Sequence, residues 1–242
     1  MEIAYWIIIL FTFIYEPIIG YYDFRKFQSD VQTKQGARIC FYLNTIISLW
    51  IPTLFVLLLV AFTDLTFREI GLTFPTINTH TLGPVITYTV FGLALLYVLV
   101  ILYYLIGYRY RSAIRNQLLQ AAEKEADGFS EIFPTTEKEK RLWNLVSVTA
   151  AITEEIIYRG FLIKAFTTLF PHLSIGFILL IASFLFGLAH TYQGLIGVIR
   201  TTVVGIFFSL LYLGFGSIVP VILFHFLIDY FAKFYGNFRK EK

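Results

Sequence analysis

Charge is what this chain has least of: 14% of its 242 residues are Asp, Glu, Lys or Arg, against about 25% in a soluble domain. With 57% hydrophobic residues, no water-soluble fold of this length could hide the apolar surface, so the chain is a polytopic membrane protein. Cysteine is almost missing too. Cys40 alone excludes an internal disulfide framework or a Cys-based metal cluster, and with no base close in sequence it is expected to be structural. The N-terminus has neither a basic stretch nor a small-x-small cleavage pattern. Met1 and Glu2 lead straight into residues 3–19, which are expected to form a retained transmembrane helix rather than a signal peptide. Internal repeats and low-complexity tracts are absent as well.

What is present is a series of apolar segments long enough to span ~30 Å at 1.5 Å per residue, at 3–19, 42–62, 84–106, 142–165, 174–192, 195–214 and 217–236. The expected fold is an all-α, polytopic transmembrane helix bundle of seven spans, or eight if one segment is re-entrant or broken. Residues 1–141 form N-terminal helices with a cytoplasmic loop, 142–236 a four-helix core, and 237–242 a basic tail. Loop charge sets the orientation. Residues 20–41 carry Arg25, Lys26, Lys34 and Arg38, and residues 107–141 carry Arg109, Arg111, Arg115, Lys124, Lys138, Lys140 and Arg141. The tail adds Arg239, Lys240 and Lys242, whereas 63–83 carries only Arg68. The positive-inside rule then places the N-terminus outside and the C-terminus in the cytoplasm, and seven spans satisfy that parity. Ile114, Leu118, Leu119 and Ala122 make an apolar stripe that suits a helix on the membrane surface or a plain connector, with Gly128 and Pro134 marking a break after it. Tyr21, Tyr22, Tyr103, Tyr104 and Trp143 are expected to be interface anchors.

Three sets of ionisable residues interrupt the apolar segments, and a charge at bilayer depth usually faces a cavity or another charge. Glu155 and Arg159 are i, i+4 neighbours in the favourable order, while Glu154 lies round the helix from the arginine and is left free, as a general base must be. Ser183, Gly187 and His190 share a face on which small residues admit another helix, a surface that could bring His190 near Glu154. His225 and Asp229, again i, i+4, could ligate a metal, orient a water or stabilise an oxyanion. Each set alone is as readily a structural polar staple. All three fall in the C-terminal half, and the N-terminal spans hold only Glu16 and Asp23, near a membrane edge.

Glu154-Glu155-x-x-x-Arg159, Phe186-x-x-x-His190 and His225-x-x-x-Asp229 resemble, in order and spacing, the three signatures of the CAAX-protease and bacteriocin-processing (CPBP, or Abi) family of intramembrane proteases, which includes the Ras-converting CAAX endopeptidases. The resemblance covers roughly residues 142–232. It implies an intramembrane endopeptidase in which Glu154 and His190 activate water, Glu155 and Arg159 support them, and His225 and Asp229 complete the site, with Phe186 and Tyr158 toward the substrate. Many members have Asn where this chain has Asp229, and ionised Asp cannot donate to an oxyanion. The family has been described both as zinc metalloproteases and as metal-free glutamate proteases. Glu154, Glu155, His190 and His225 make a chemically plausible zinc set, with Glu154, His190 and His225 as the ligands, though no His-Glu-x-x-His helix is present.

The implied partners are a peptide or lipidated protein substrate and membrane lipids, with no nucleic acid, in an integral protein of a bacterial cell membrane. Two rivals use the same residues: a proton- or metal-coupled transporter, and a non-catalytic immunity or partner protein. One difficulty stands. Glu154 should lie ~20 Å along its span, toward the outer half, whereas His190 comes late in the next one, nearer the cytoplasm. Tilt, a kink near Gly160, or a helix that starts below the membrane would reconcile them.

Overall fold

A computed structural model describes residues 1–124 and 130–238, and these form helices with no strand among them. Gly128 and the basic tail residues Arg239, Lys240 and Lys242 lie outside the described residues, as do the side chains of Leu119 and Ala122. Helix α1 is Glu2–Thr33, α2 Ala37–Phe62, α3 Pro84–Tyr110 and α4 Ser112–Lys124. Helix α5 runs through residues 137–169 and passes from α-helical (Glu137–Glu154) to π-helical (Glu155–Leu162) and back (Ile163–Leu169). Helices α6 (Ile175–Leu188), α7 (Gly194–Phe215) and α8 (Val219–Phe238) complete the chain. Among the described residues, four helices are long and apolar enough to cross a membrane: α1, α2, α3 and α7 with the turn before it. Val219–Ala232 and α6 are shorter apolar helices.

The helix boundaries differ from the expected ones where local chemistry overrides hydropathy. The first helix does not stop at residue 19 but continues to Thr33, so the anticipated loop 20–41 shrinks to the turn at 34–36. Helix α5 begins five residues before the expected 142. Thr136 caps it by accepting from the Glu139 amide, and the Glu139 carboxylate accepts from the Thr136 amide in return, a capping box. Arg38 holds the same carboxylate at 3.1 Å. Burial alone would raise the Glu139 carboxyl, but hydrogen bonds from Thr135 and Thr136 and the Arg38 contact bring it down to about 2. Trp143 is no interface anchor. Its indole N–H donates to the Asp229 carbonyl of α8 at 2.9 Å and its ring is buried among Tyr42 and Phe133. Tyr21, Tyr22, Tyr103 and Tyr104 are exposed, as expected of anchors.

The two ends of the bundle are tied separately. At one end Gln32 reaches Glu131, and Arg38 reaches Glu131, Thr135 and Glu139, while the Tyr42 hydroxyl donates to the Ile132 carbonyl. At the other, the 63–83 segment folds back onto the α7–α8 turn through Thr76 N–H to Phe215 O (2.9 Å), Ile218 N–H to Gly71 O (2.9 Å) and Ser217 Oγ to Thr73 O (2.6 Å). Gly216 makes that turn in the left-handed region, φ 58°. The same segment buries Ile70 completely against α5, where a Cβ on Gly160 would stand 2.5 Å from the Ile70 carbonyl oxygen. Gly160, where a kink was one of three ways to reconcile the depths of Glu154 and His190, lies in the π-helical stretch, and its missing side chain admits the loop backbone. The main core joins Tyr5, Ile8 and Ile9 of α1 and Val56 of α2 to the π segment of α5 and the inner face of α6.

Candidate active site

The π segment of α5 is where polarity goes inside. All eight of its residues, Glu155 to Leu162, are buried. Arg159 Nη1 donates to Glu155 Oε1 at 2.8 Å, with side-chain exposures of 1% and 0%, so the pair is fully desolvated. A buried ion pair of this kind needs further partners, and it has them. The guanidinium carbon lies 4.1 Å from the Phe186 ring centre and 5.0 Å from that of Phe208, and Nη2 reaches the Gly205 carbonyl at 3.4 Å. Two aromatic faces thus flank the cation. Glu155 Oε1 accepts a second bond, from His225 Nδ1 at 2.8 Å, while Oε2 has no hydrogen-bond partner among the described residues.

The expected division between the two glutamates holds geometrically. Glu155 is tied to Arg159 and to His225, and Glu154 makes no hydrogen bond among the described residues. Its Oε2 stands 3.9 Å from His225 Nε2, too far for a direct hydrogen bond. Because a carboxylate only accepts, Glu155 fixes the His225 proton on Nδ1 and turns Nε2 toward Glu154 and Asp229, whose Oδ2 is 3.5 Å away. Phe208 lies 5.2 Å from the His225 ring and Phe186 6.2 Å.

His190 follows α6 in a short turn before the 3-10 stretch Thr191–Gln193. Its Nδ1 is 2.9 Å from the Phe186 carbonyl. A carbonyl cannot donate, so Nδ1 carries the proton and Nε2 is left as an acceptor. With fourteen residues α6 extends about 21 Å, less than the ~30 Å hydrocarbon layer, and the turn after it brings His190 to the border of the cavity that Glu154 also lines. Irregular backbone at that depth is tolerated where it borders a cavity. The small face of α6 meets α7 and not α5: Ser183 Oγ is 3.4 Å from Ser209 Oγ, and a Cβ on Gly187 would stand 2.8 Å from the Val198 carbonyl oxygen. The Ser183–Gly187 face, which could have brought His190 near Glu154, packs on α7 instead, and the two residues meet only as borders of one cavity.

Glu154, His190, His225, Asp229 and Phe186 border one cavity of about 1810 Å³. Glu155, Arg159 and Tyr158 do not border it. Tyr158, 1% exposed, stands behind Phe186 with ring centres 5.1 Å apart, so any substrate contact falls to Phe186 rather than to Tyr158. The cavity also takes in a residue that hydropathy had left at a membrane edge. Glu16 of α1 faces it, accepting from the Tyr158 hydroxyl at 2.5 Å. The signal was in the sequence, since Glu16 interrupts an apolar run just as Glu154 does. Ending the first segment at residue 19 put it near the rim.

No three His, Cys, Asp or Glu side chains among the described residues come together as a metal-holding group. The set Glu154, His190 and His225 does not meet that geometry.

No curated protein and no solved structure matches the chain. Residues 139–231 match the family described as type II CAAX prenyl endopeptidase, Rce1-like. That stretch begins in the first turn of α5, ends in α8, and contains all three motif pairs, leaving α1 to α4 outside. Both glutamates, the arginine and both histidines lie inside the matched residues 139–231, so the likeness to the Rce1-like type II CAAX prenyl endopeptidase family covers the whole cluster.

Proposed function

We propose that this protein is an intramembrane endopeptidase that hydrolyses a peptide bond near the C-terminus of a lipidated or precursor peptide, with Glu154 as general base. The observation that carries the reading is the unpaired Glu154 carboxylate, facing a cavity 3.9 Å from an imidazole whose other nitrogen is already held. A water beside Glu154 and His190 Nε2 loses a proton to the carboxylate as its oxygen attacks the scissile carbonyl carbon. The oxygen of that carbonyl becomes an oxyanion, to which protonated His225 donates from Nε2. Glu155 at 2.8 Å and Asp229 at 3.5 Å are the carboxylates beside that ring, which gives Asp229 a role an ionised carboxylate can fill. Collapse of the intermediate breaks the C–N bond as Glu154 returns its proton to the leaving amine, releasing a carboxylate and an amine. Phe186 forms part of the wall against which the peptide lies.

Seven segments, α1, α2, α3, α5, α6 with the turn after it, α7 and α8, cross the bilayer in this reading, with α4 on the cytoplasmic surface. The ends joined by the turn at 34–36 and by residues 111–136 carry the basic residues, which puts the N-terminus outside, the C-terminus in the cytoplasm and the cavity mouth toward the cytoplasmic side. Mass spectrometry of a peptide bearing a farnesylated cysteine followed by three residues, incubated with the protein and with Glu154→Ala, tests the function. Cleavage after the modified cysteine by the wild type alone supports it, and equal cleavage by both rejects it.

A further inference from the structure

Helix α1 lies outside the family-matched stretch, yet it touches the site twice within two residues. The Tyr158 hydroxyl donates to Glu16 Oε2 at 2.5 Å, and the Thr191 hydroxyl donates to the Pro17 carbonyl at 2.9 Å. Each partner adjoins a proposed catalytic group: Tyr158 is one turn beyond Glu154, and Thr191 directly follows His190. From the cluster known by its motifs, we infer that Glu16 is a positioning residue of this active site, holding through Tyr158 the wall on which His190 is mounted. The inference rests on the endopeptidase reading above.

The contacts are continuous. The Tyr158 ring meets the edge of Phe186 (5.1 Å), the Phe186 ring meets His190 (5.0 Å), and the Phe186 carbonyl holds the His190 Nδ1 proton (2.9 Å). A carboxylate partner gives this chain a direction. It can only accept, so the phenol must spend its single proton on α1 and cannot turn to donate to Glu154 or to a substrate carbonyl. The backbone supports the same conclusion. Helix α1 is π-helical over Phe11–Tyr15, just before Glu16, and α5 over Glu155–Leu162, which contains Tyr158. Such interruptions recur at functional sites, and here one of them holds the donor of the hydrogen bond while the other ends one residue before its acceptor. The turn at residues 189–193 carries His190 between two helices and gains its outer fastening from Pro17.

The full chain in detergent, assayed with a fluorogenic peptide bearing the farnesylated cysteine, tests the inference. Glu16→Ala is expected to lower kcat about ten- to a hundredfold with KM within about threefold, the signature of a misplaced catalytic group. Tyr158→Phe should behave alike, and the double variant should lose no more than about twofold beyond the worse single, since both act on one element. Glu16→Gln keeps an oxygen acceptor and is expected to recover at least about half of the wild-type kcat. A Glu16→Ala kcat within about twofold of wild type, or losses that multiply in the double variant, overturns the inference. If Glu154→Ala is inactive while Glu16→Ala is normal, the positioning role fails and the endopeptidase reading stands; if wild type and Glu154→Ala cleave equally, the endopeptidase reading itself fails. A readout that needs no turnover decides the positioning role in either case. The rate of His190 modification by diethyl pyrocarbonate, read by peptide mass spectrometry, should rise about fivefold or more in Glu16→Ala but not in Glu16→Gln, because only the former frees the wall. Equal rates in all three proteins overturn it.

Discussion

Helices α3 and α5 are opposite uses of a membrane helix. Helix α3 is 27 residues of high hydropathy and buries only Thr87, Val90 and Gly107. Leu95, Leu96, Leu99 and Leu102 are exposed without bordering the cavity, where lipid is as good a solvent for them as protein. Helix α5 does not pass as a span on apolar composition, yet it buries every residue from Glu155 to Leu162. In a bilayer hydropathy reports which helices lipid will accept, and polarity reports which ones must find protein. The helix that looks least like a span is the one around which the others are arranged.

The contrast can be broken or sharpened by substitution. The largest effect belongs to Glu154→Ala, which should lower kcat about 10²- to 10⁴-fold, the usual contribution of a general base, while the melting temperature in detergent stays near wild type because Glu154 makes no hydrogen bond. Cleavage rates beside a thermal scan check both halves. Next, Arg159→Leu should destabilise the protein by about 3–5 kcal/mol by leaving Glu155 charged and buried without its partner. The double variant Arg159→Leu/Glu155→Leu should recover much of this, a result measurable by unfolding in detergent. Recovery of stability without recovery of cleavage would separate the two roles of the pair.

Glu139 gives a smaller and pH-dependent effect at the start of α5. Its carboxyl is held at about 2 against an ordinary 4.5, so its stabilisation is present above about pH 4.5 and lost as pH falls toward 2. Melting curves from pH 6 to 3 should fall less steeply for Glu139→Gln than for wild type. Thr136→Ala, which removes the other half of the capping box, should cost about 1 kcal/mol. Smallest of all, Leu95→Ala on the lipid face of α3 should change stability by no more than about 0.5 kcal/mol, whereas Phe161→Ala in the buried π segment should cost about 3–5 kcal/mol. Similar losses at the two positions would erase the distinction between the helices.

The cluster was largely legible in the sequence because burial of charge is a rule with few exceptions. Glu155–Arg159 follows from i, i+4 spacing, and the freedom of Glu154 follows from its angle round the helix. The partners of those groups were not legible. Phe208 flanks Arg159 from another helix, and nothing in a run of apolar residues distinguishes it from its neighbour Phe207. Glu16 met the criterion applied to Glu154 but was set aside because an apolar window ended too early, and helix propensity carries α1 through Asp23 and Asp30 regardless of their polarity. Trp143 was taken for an interface anchor because interfacial tryptophans and buried ones bonded to a carbonyl look alike in one dimension.

Composition alone determined that this is a membrane protein built of helices, since so few charges and so much apolar surface leave no other solvent for it. Motif spacing determined which acids and imidazoles lie on common helix faces, because the helical repeat is a local property. Tertiary structure decided the position of His190, through the end of α6 at Leu188 and a turn fastened to α1. It also decided the second task of Glu155, holding His225 as well as Arg159, and the entry of Glu16 from a helix more than a hundred residues away in sequence. These depend on how far each helix extends and on what its neighbour presents there, which no local periodicity encodes.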